Sequence, residues 1–411
     1  MWSGESNYQY SNDHCFKHPY YNLFLQRLTP DSPESNLVAS YLMKPFRLCS
    51  SIPRLPITST HIARTNQLRS ISNTNRQMSS EREDSIPHEL RTAAEPRQNR
   101  LHTVRLSHIE QVNPSVRLLQ FALPTQENNN NAQQSFNFLP GQWLDVHIPS
   151  IAKAGGFTIT STPADAQVLP SPEASTAPAE EPLASSINFQ GRPPYVELAV
   201  QDSPGNPAAA WLWRPKEDIL GKELSIRVGG SFTWPPTGVD SKDVKNGVFI
   251  AGGVGINPLI SIISHLNNND PNTICPSKIH ILYSTRLPKG HENLSLEEKL
   301  EQILFLPRLR QIMKSQIQSR RTEIHLDLFL TDLTAVSDQF GLEEAGLSVH
   351  TGRITETYLH EVAVGASERN DLRDTVCYVC GPPAMTDAMV DVLGRMLGEG
   401  GKKRIFFEKW W

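Results

Sequence analysis

After Gly247 an apolar run, Val248-Phe-Ile-Ala-Gly252, is followed almost at once by a helix-period stretch, Pro258–Leu266, with Gly252, Gly253 and Gly255 at the junction. A strand that feeds a helix through so short a turn is read as one unit of a crossover, so its neighbours are parallel strands buried on both faces. The pattern recurs. Ile279–Ser284, Ile324–Thr331 and Thr375–Cys380 read as further apolar strands, Glu297–Leu306 as a helix, and Pro382–Leu397 as a long helix leading into Arg404–Trp411. Residues 245–411 are therefore expected to form a nucleotide-binding-like α/β domain on a parallel sheet.

The preceding region has another texture. From Leu101 the apolar residues come in short alternating runs, His102–Val112, Ser115–Leu123, Gln142–Ile148, Phe157–Thr162, Tyr195–Gln201 and Glu223–Val228, separated by Pro, Gly and Asn. Such runs predict an antiparallel β-barrel or sandwich over 101–240. Two interruptions read as insertions without structure of their own. One is the polar tract 128–134; the other is 163–186, where 18 of 24 residues are Ala, Pro, Ser or Glu and too little apolar surface exists to offset chain entropy.

Charge and composition narrow the function. The first hundred residues hold 12 basic and 9 acidic groups and the remainder 27 and 34, which excludes a nucleic-acid-binding body. Five scattered cysteines give no disulfide scaffold, no His or Cys spacing fits a metal site, and the longest apolar stretch, Gly247–Leu266, is too broken to span a bilayer. Residues 1–100 read as a disordered head. Within it, 35–80 carries five Arg, nine Ser and four Thr with no acidic group, the composition of a mitochondrial transit peptide covering about 43–80 in a chain begun at Met43. A disordered basic tail has the same composition.

Three glycines without side chains let backbone N–H groups approach a pyrophosphate at a positive helix terminus, although such a turn can also be only a turn. Cys377-Tyr-Val-Cys380-Gly-Pro-Pro383 ends an apolar strand, which argues against a redox or metal pair and for Cys380 as a small polarizable wall beside a flat ring. Ser284 and Arg286, with Lys289, follow the second α/β strand. A ribose hydroxyl or 2′-phosphate lies there in such sheets, and no acid stands at the strand tip; a solvated loop reads the same.

These segments in this order, together with Leu139-Pro-Gly-Gln142, Gly352-Arg-Ile354 and Phe407-Glu-Lys-Trp-Trp411, resemble the ferredoxin-NADP reductase superfamily over about 101–411. Within it the resemblance is to the oxidoreductase NAD-binding domain-containing type. It implies an FAD between barrel and α/β domain, NAD(P)H as hydride donor, and an external electron acceptor, protein or small molecule. It also implies roles: Thr158 at flavin N5, Cys380 bordering the nicotinamide, and Glu408 with Trp410 closing the site. Gly252, Gly253, Val254, Gly255, Ile256, Asn257 and Pro258, with Ser284, Arg286, Gly381 and Pro382, would surround the nucleotide. The flavin signature departs from the family's Arg-x-Tyr-Ser/Thr, reading Gly155-Gly156-Phe157-Thr158, so the Arg that holds the flavin pyrophosphate is replaced by Gly155. The second phosphate signature is replaced by Gly205–Trp211. Helix amides near Ala208–Ala210 could still hold phosphate, and Lys153 or Arg227 would have to restore the charge. The alternative function is a non-catalytic nucleotide-binding or assembly protein that has lost its flavin.

Overall fold

The computed structural model describes residues 88–124, 136–167, 192–268, 273–289, 293–333, 345–365 and 372–410. Contacts divide the chain into Met1–Arg76 and Gln77–Trp411, and every described residue belongs to the second unit. The expected transit segment, the tract 128–134, residues 168–186 of the second insertion and Trp411 lie outside the described residues.

Six strands form the antiparallel sheet: β1 His102–Asn113, β2 Val116–Ala122, β3 Trp143–His147, β4 Gly155–Thr158, β5 Tyr195–Gln201 and β6 Glu223–Gly229. Their order is β4-β3-β6-β1-β2-β5, and a bridge between Ile159 and Leu198 joins the two ends into a barrel. Alternation decides what faces inward: Leu106, Leu119, Phe121, Leu144, Val146, Ile159, Leu198 and Ile226 are wholly buried and pack in one cluster. The run expected as a strand over Phe157–Thr162 leaves the sheet after Thr158 except for that bridge. Pro163–Ala166, expected to be unstructured, form a 3-10 turn in which the Asp165 carboxylate accepts from the Thr162 N–H and hydroxyl.

Six strands form the parallel sheet: β7 Asn246–Gly252, β8 Lys278–Thr285, β9 Glu323–Leu330, β10 Leu347–Thr351, β11 Thr375–Gly381 and β12 Ile405–Lys409, in the order β10-β9-β8-β7-β11-β12. The chain runs outward from β7 on one side, then returns to place β11 and β12 on the other. The switch therefore lies between β7 and β11, both buried along their whole length. The helices are α1 His88–Arg91, α2 Pro207–Leu212, α3 Lys216–Ile219, α4 Ile256–Asn267, α5 Leu296–Glu301, α6 Leu306–Ser319, α7 Glu356–Gly365 and α8 Pro383–Gly401. The single helix expected over Glu297–Leu306 is in fact two. Phe305 takes a left-handed backbone with φ 62°, and Pro307, which lacks an N–H, stands in the first turn of α6.

Barrel and α/β sheet share one core in which Phe232 and Trp234 pack with Phe249 and Tyr378. Polar contacts fix their mutual position. Arg308 of α6 donates to both Glu197 oxygens at 2.9 and 3.2 Å, Ser261 donates to the Ser161 carbonyl at 2.7 Å, and Tyr378 donates to the Thr233 carbonyl at 2.8 Å.

Described structure precedes the expected boundary at Leu101. His88–Gln98 straps across β3, β4 and β6: Gln98 donates to the Val228 carbonyl, Gly230 to that of Pro96, and Arg97 lies over the Trp143 ring. The strap is held by Asp145, which is wholly buried. Arg97 Nε and Arg227 Nη2 reach its Oδ2 at 3.0 and 2.7 Å, while His88 Nε2 stands 3.1 Å from Oδ1 without the alignment of a hydrogen bond. Burial pushes this carboxyl up, but the pull of His88, Arg227 and Arg97 prevails and holds it well below the usual carboxylate range.

A depressed carboxyl contributes stability that is present above its unfolded value of 3.8 and is lost as pH falls below it. Asp145→Asn should lose about 3–5 kcal/mol, because two guanidinium groups are left without their charge partner. Urea unfolding at pH 7 measures the loss, and its pH dependence below about 4 should be shallower in the variant.

Candidate functional site

The carboxyl ends of β7, β11 and β12 lie side by side. The register pairs Ala251 with Cys380 and Cys380 with Glu408, so three central residues form one row. Gly252 pairs with Ser284 of β8, and Gly381 with Lys409 of β12, in the next row. Just beyond, the glycine turn descends onto this edge, and its glycines serve different ends. A Cβ on Gly252 would meet Met385 Sδ at 2.5 Å, and one on Gly255 would meet the Cys380 carbonyl oxygen at 2.1 Å, so both are required by packing. Gly253 has φ +55° and nothing within 4 Å of where its Cβ would stand. Only there does the backbone face open space in the conformation glycine alone adopts readily.

The rest of the run is structural. Ile256 and Pro258 are buried in the core, and Val254 packs against it. Asn257 donates its side-chain amide to the Ala199 carbonyl of the barrel at 3.1 Å, while its Oδ1 is enclosed without a partner. These residues, expected around a nucleotide, also seat α4 against the barrel. Ser284 is half-buried at the end of β8 and Arg286 is exposed beyond it. The tip that reads as free of acid in the sequence receives Asp332, whose two oxygens accept from the Leu287 N–H at 3.2 Å. Forty-five positions separate the partners, so no local signal announces the pairing.

Cys377 and Cys380 are buried free thiols in different clusters, Cys377 among residues packed with α7 and α8 and Cys380 in the shared core. Burial, then the charge of Glu408, pushes the Cys380 thiol far up, so it acts as a neutral wall. Glu408 keeps some exposed surface, but its Oε2 is enclosed and unpartnered. Burial and the charge of Glu95 push its carboxyl up to about 8. The indole N–H of Trp410 pulls the other way without closing a hydrogen bond of ordinary geometry. Trp410 is tied down by its backbone N–H to the Gly381 carbonyl at 3.1 Å, which leaves the indole beside Cys380 and Glu408. Pro382 is exposed and stands just before α8. Glu95 itself is anchored by the Ser231 N–H and hydroxyl, a contribution from the strap that sequence patterning does not reveal.

The flavin-signature residues lie on β4. Thr158 is buried and its Oγ1 has no partner; Phe157 is buried with the barrel core. A Cβ on Gly155 would meet Ala208 Cβ at 2.5 Å and the Phe157 ring at 2.6 Å, and one on Gly156 would fall within the His88 ring at 2.1 Å. At α2, Asn206 Oδ1 accepts from the Ala208 and Ala209 N–H groups at 3.1 and 3.3 Å, and Arg227 is committed to Asp145. At the carboxyl edge of the parallel sheet, Gly253 leaves its backbone open, and Glu408 Oε2 and Trp410 Nε1 are enclosed without partners. The diphosphate of an FAD does not fit the residues at 155 and 206–210.

Gly255→Ala should lower the melting temperature sharply, because the Cys380 carbonyl cannot retreat from its strand. Gly253→Ala should cost only about 1–2 kcal/mol for its left-handed backbone and should weaken nucleotide binding at least about tenfold by calorimetry. Unchanged affinity in folded Gly253→Ala would remove the phosphate role of this turn.

No family model matches the chain. Oxidoreductase NAD-binding domain-containing protein 1 of Bos taurus is 28% identical over 324 residues, covering 79% of this chain and 85% of the relative. The Homo sapiens protein of that name is 28% identical over 330 residues, 79% of this chain and 84% of its own. The propane 2-monooxygenase reductase component of Rhodococcus jostii (strain RHA1) is 26% identical over 281 residues, 67% of this chain and 56% of the relative. Among solved structures, the Amycolatopsis cytochrome P450 reductase GcoB overlaps with a TM-score of 0.47 and 19% identity, covering 75% of this chain and 69% of that one. The antiparallel barrel joined to a six-stranded parallel sheet is the architecture that the sequence motifs led us to expect, and in sequence the chain is similar to the oxidoreductase NAD-binding domain-containing proteins.

Proposed function

We propose that the chain is an NAD(P)H-dependent oxidoreductase whose nicotinamide lies at the carboxyl edge of β7, β11 and β12, and that it reduces an external electron acceptor. The observation that carries this reading is the pairing of Cys380 with Glu408 on one row and the Trp410 indole beside them, with Glu408 Oε2 and Trp410 Nε1 enclosed and unpartnered. Buried polar atoms without partners are rare in folded chains, and a ligand with polar edges satisfies them. Reductase-named relatives support the same class.

A bound reduced nicotinamide supplies a hydride, which is a proton with two electrons, from its C4. The chain's part is to bind, orient and exclude water. Gly253 offers its backbone to the phosphates at the start of α4, Cys380 gives the ring an uncharged wall, and Trp410 covers the edge. Glu408 is neutral at pH 7 and can donate a hydrogen bond to a carboxamide. Asp332 brings a carboxylate close to the loop where an adenosine ribose would lie, which favours NADH, while Arg286 favours NADPH. We also propose a mitochondrial destination, on the acid-free, Arg- and Ser-rich composition of 35–80.

Two measurements test these readings. The oxidised nicotinamide ring is cationic and the reduced ring neutral, so ionisation of Glu408 above about pH 8 should raise affinity for the oxidised form relative to the reduced one. Calorimetry at pH 6.5 and 9 should show that shift in the native chain and none in Glu408→Gln; a shift that persists in the variant places the ring elsewhere. N-terminal mass spectrometry of protein from fractionated cells should find a mature start near residue 80 in mitochondria, and an intact 1–42 peptide in cytosol overturns that destination.

A further inference from the structure

We propose that the strap His88–Gln98 is a releasable clamp: it leaves the barrel as a unit while both sheets stay folded, and its release frees the loop Gly230–Trp234 beside the parallel sheet. The strap is held differently from everything beneath it. None of its residues belongs to the hydrophobic clusters of the barrel or the α/β domain, and Leu90 is 68% exposed. Its turns close within the strap itself, where the amides of Thr92, Ala93 and Glu95 donate to the carbonyls of His88, Leu90 and Thr92. Among the described residues its backbone meets the barrel at one end, where Gln98 donates to the Val228 carbonyl at 2.9 Å and Gly230 to the Pro96 carbonyl at 3.0 Å. Below it β3 is paired on both sides, Asp145 with Gly156 of β4 and with Arg227 of β6, so the strap can leave without breaking a ladder bond of that strand.

Charge and ring contacts around one carboxylate fasten the rest of the strap. Arg97 from the strap and Arg227 from the barrel bind Asp145, and His88 stands 3.1 Å from it. His88 also meets the Trp143 indole edge-on at 4.6 Å, and Arg97 lies over the same ring at 4.8 Å. The attraction within a buried ion pair is offset by the water its charges give up, so such a contact fastens less firmly than an apolar core of the same extent. Release returns Arg97 and Asp145 to water and uncovers Trp143, which is 1% exposed in the closed state. It also frees the loop. Glu95 accepts from the Ser231 N–H and hydroxyl at 3.1 and 2.6 Å, and Pro96 holds Gly230. The next two residues bear on β11: Phe232 meets the Tyr378 ring edge-on at 5.2 Å, and the Thr233 carbonyl accepts from the Tyr378 hydroxyl. The clamp thus ties the N-terminal side of the barrel to the loop that packs on the strand carrying Cys380.

The test is hydrogen exchange of the full chain read by mass spectrometry, with hydroxyl-radical footprinting at Trp143. The strap amides and those of Gly230 and Ser231 should exchange together, at least about a hundredfold faster than β2 and β5, because local opening costs less than unfolding. Gly156→Ala is a wedge that removes no charge, since its Cβ would stand 2.1 Å from the His88 ring. It should speed exchange of the strap, Gly230 and Ser231 at least about tenfold, raise oxidation of Trp143, and leave β2 and β5 unchanged within about threefold. Arg97→Gln, which loosens the strap from its own side, should do the same and decides the matter if Gly156→Ala does not fold. The proposal is overturned if the native strap exchanges at the rate of β2 and β5, or if a folded variant speeds those strands as much as the strap, because the strap then opens only when the barrel unfolds. Fast exchange in the strap with Gly230 and Ser231 still protected overturns its hold on the loop.

Discussion

The approach of the glycine turn to the end of β11 sets the geometry on which everything else rests. The Cys380 carbonyl stands 2.1 Å from where a Cβ of residue 255 would be, a contact no side chain permits. Because residue 255 is glycine, the turn settles onto the neighbouring strand and α4 leaves β7 at an angle that carries Asn257 to the Ala199 carbonyl and Ser261 to that of Ser161. One absent methyl group therefore couples the parallel sheet to the barrel. The same descent leaves Gly253 on the outside of the turn, the position where backbone is accessible to a ligand.

Two carboxylates show how environment assigns opposite states to the same chemistry. Asp145 is wholly buried, yet two guanidinium groups and an imidazole surround it, and its negative charge is the reason the strap His88–Gln98 stays on the barrel. Glu408 is enclosed at Oε2 with another carboxylate, Glu95, as its charged neighbour, and it holds its proton to about pH 8. Desolvation opposes ionisation in both; only the partners differ. The strap links the two, since the segment that places Arg97 on Asp145 also places Glu95 near Glu408. A third buried acid, Asp327 of β9, follows Asp145: His280, His350 and Tyr358 reach it at 2.5, 2.8 and 2.6 Å, and it is held below the usual range at the far side of the parallel sheet.

The elements most legible in the sequence are those whose identity is local. β7 and β11 are continuous apolar runs, and the barrel strands alternate with period two; both signals survive because burial of each strand depends on its own side chains. The glycine turn was legible as a turn, but not which glycine faces ligand and which faces Cys380, because that depends on a strand more than a hundred residues away. The break between α5 and α6 was hidden in an unbroken helical period, although Pro307 marks it. β10, with no alternation strong enough to stand out, and the strap are stabilised by distant partners: Leu326 for the first and Asp145 for the second. Single polar residues such as His88, Arg97 and Asn257 carry no pattern, and their roles appear only when the chain brings a carboxylate or a carbonyl to them.

Tyr378 shows what this frame implies for a ligand. It stacks between Phe249 of β7 and Phe406 of β12, meets the Phe232 ring edge-on, and donates its hydroxyl to the Thr233 carbonyl. Two residues further along the same strand is Cys380. The walls of the site are thus fixed by side chains that pack whether or not a ligand is present, with Arg308 and Glu197 closing the interface elsewhere. Walls fixed in this way ask little reorganisation of a ligand that packs against them, so little binding free energy goes into ordering the protein.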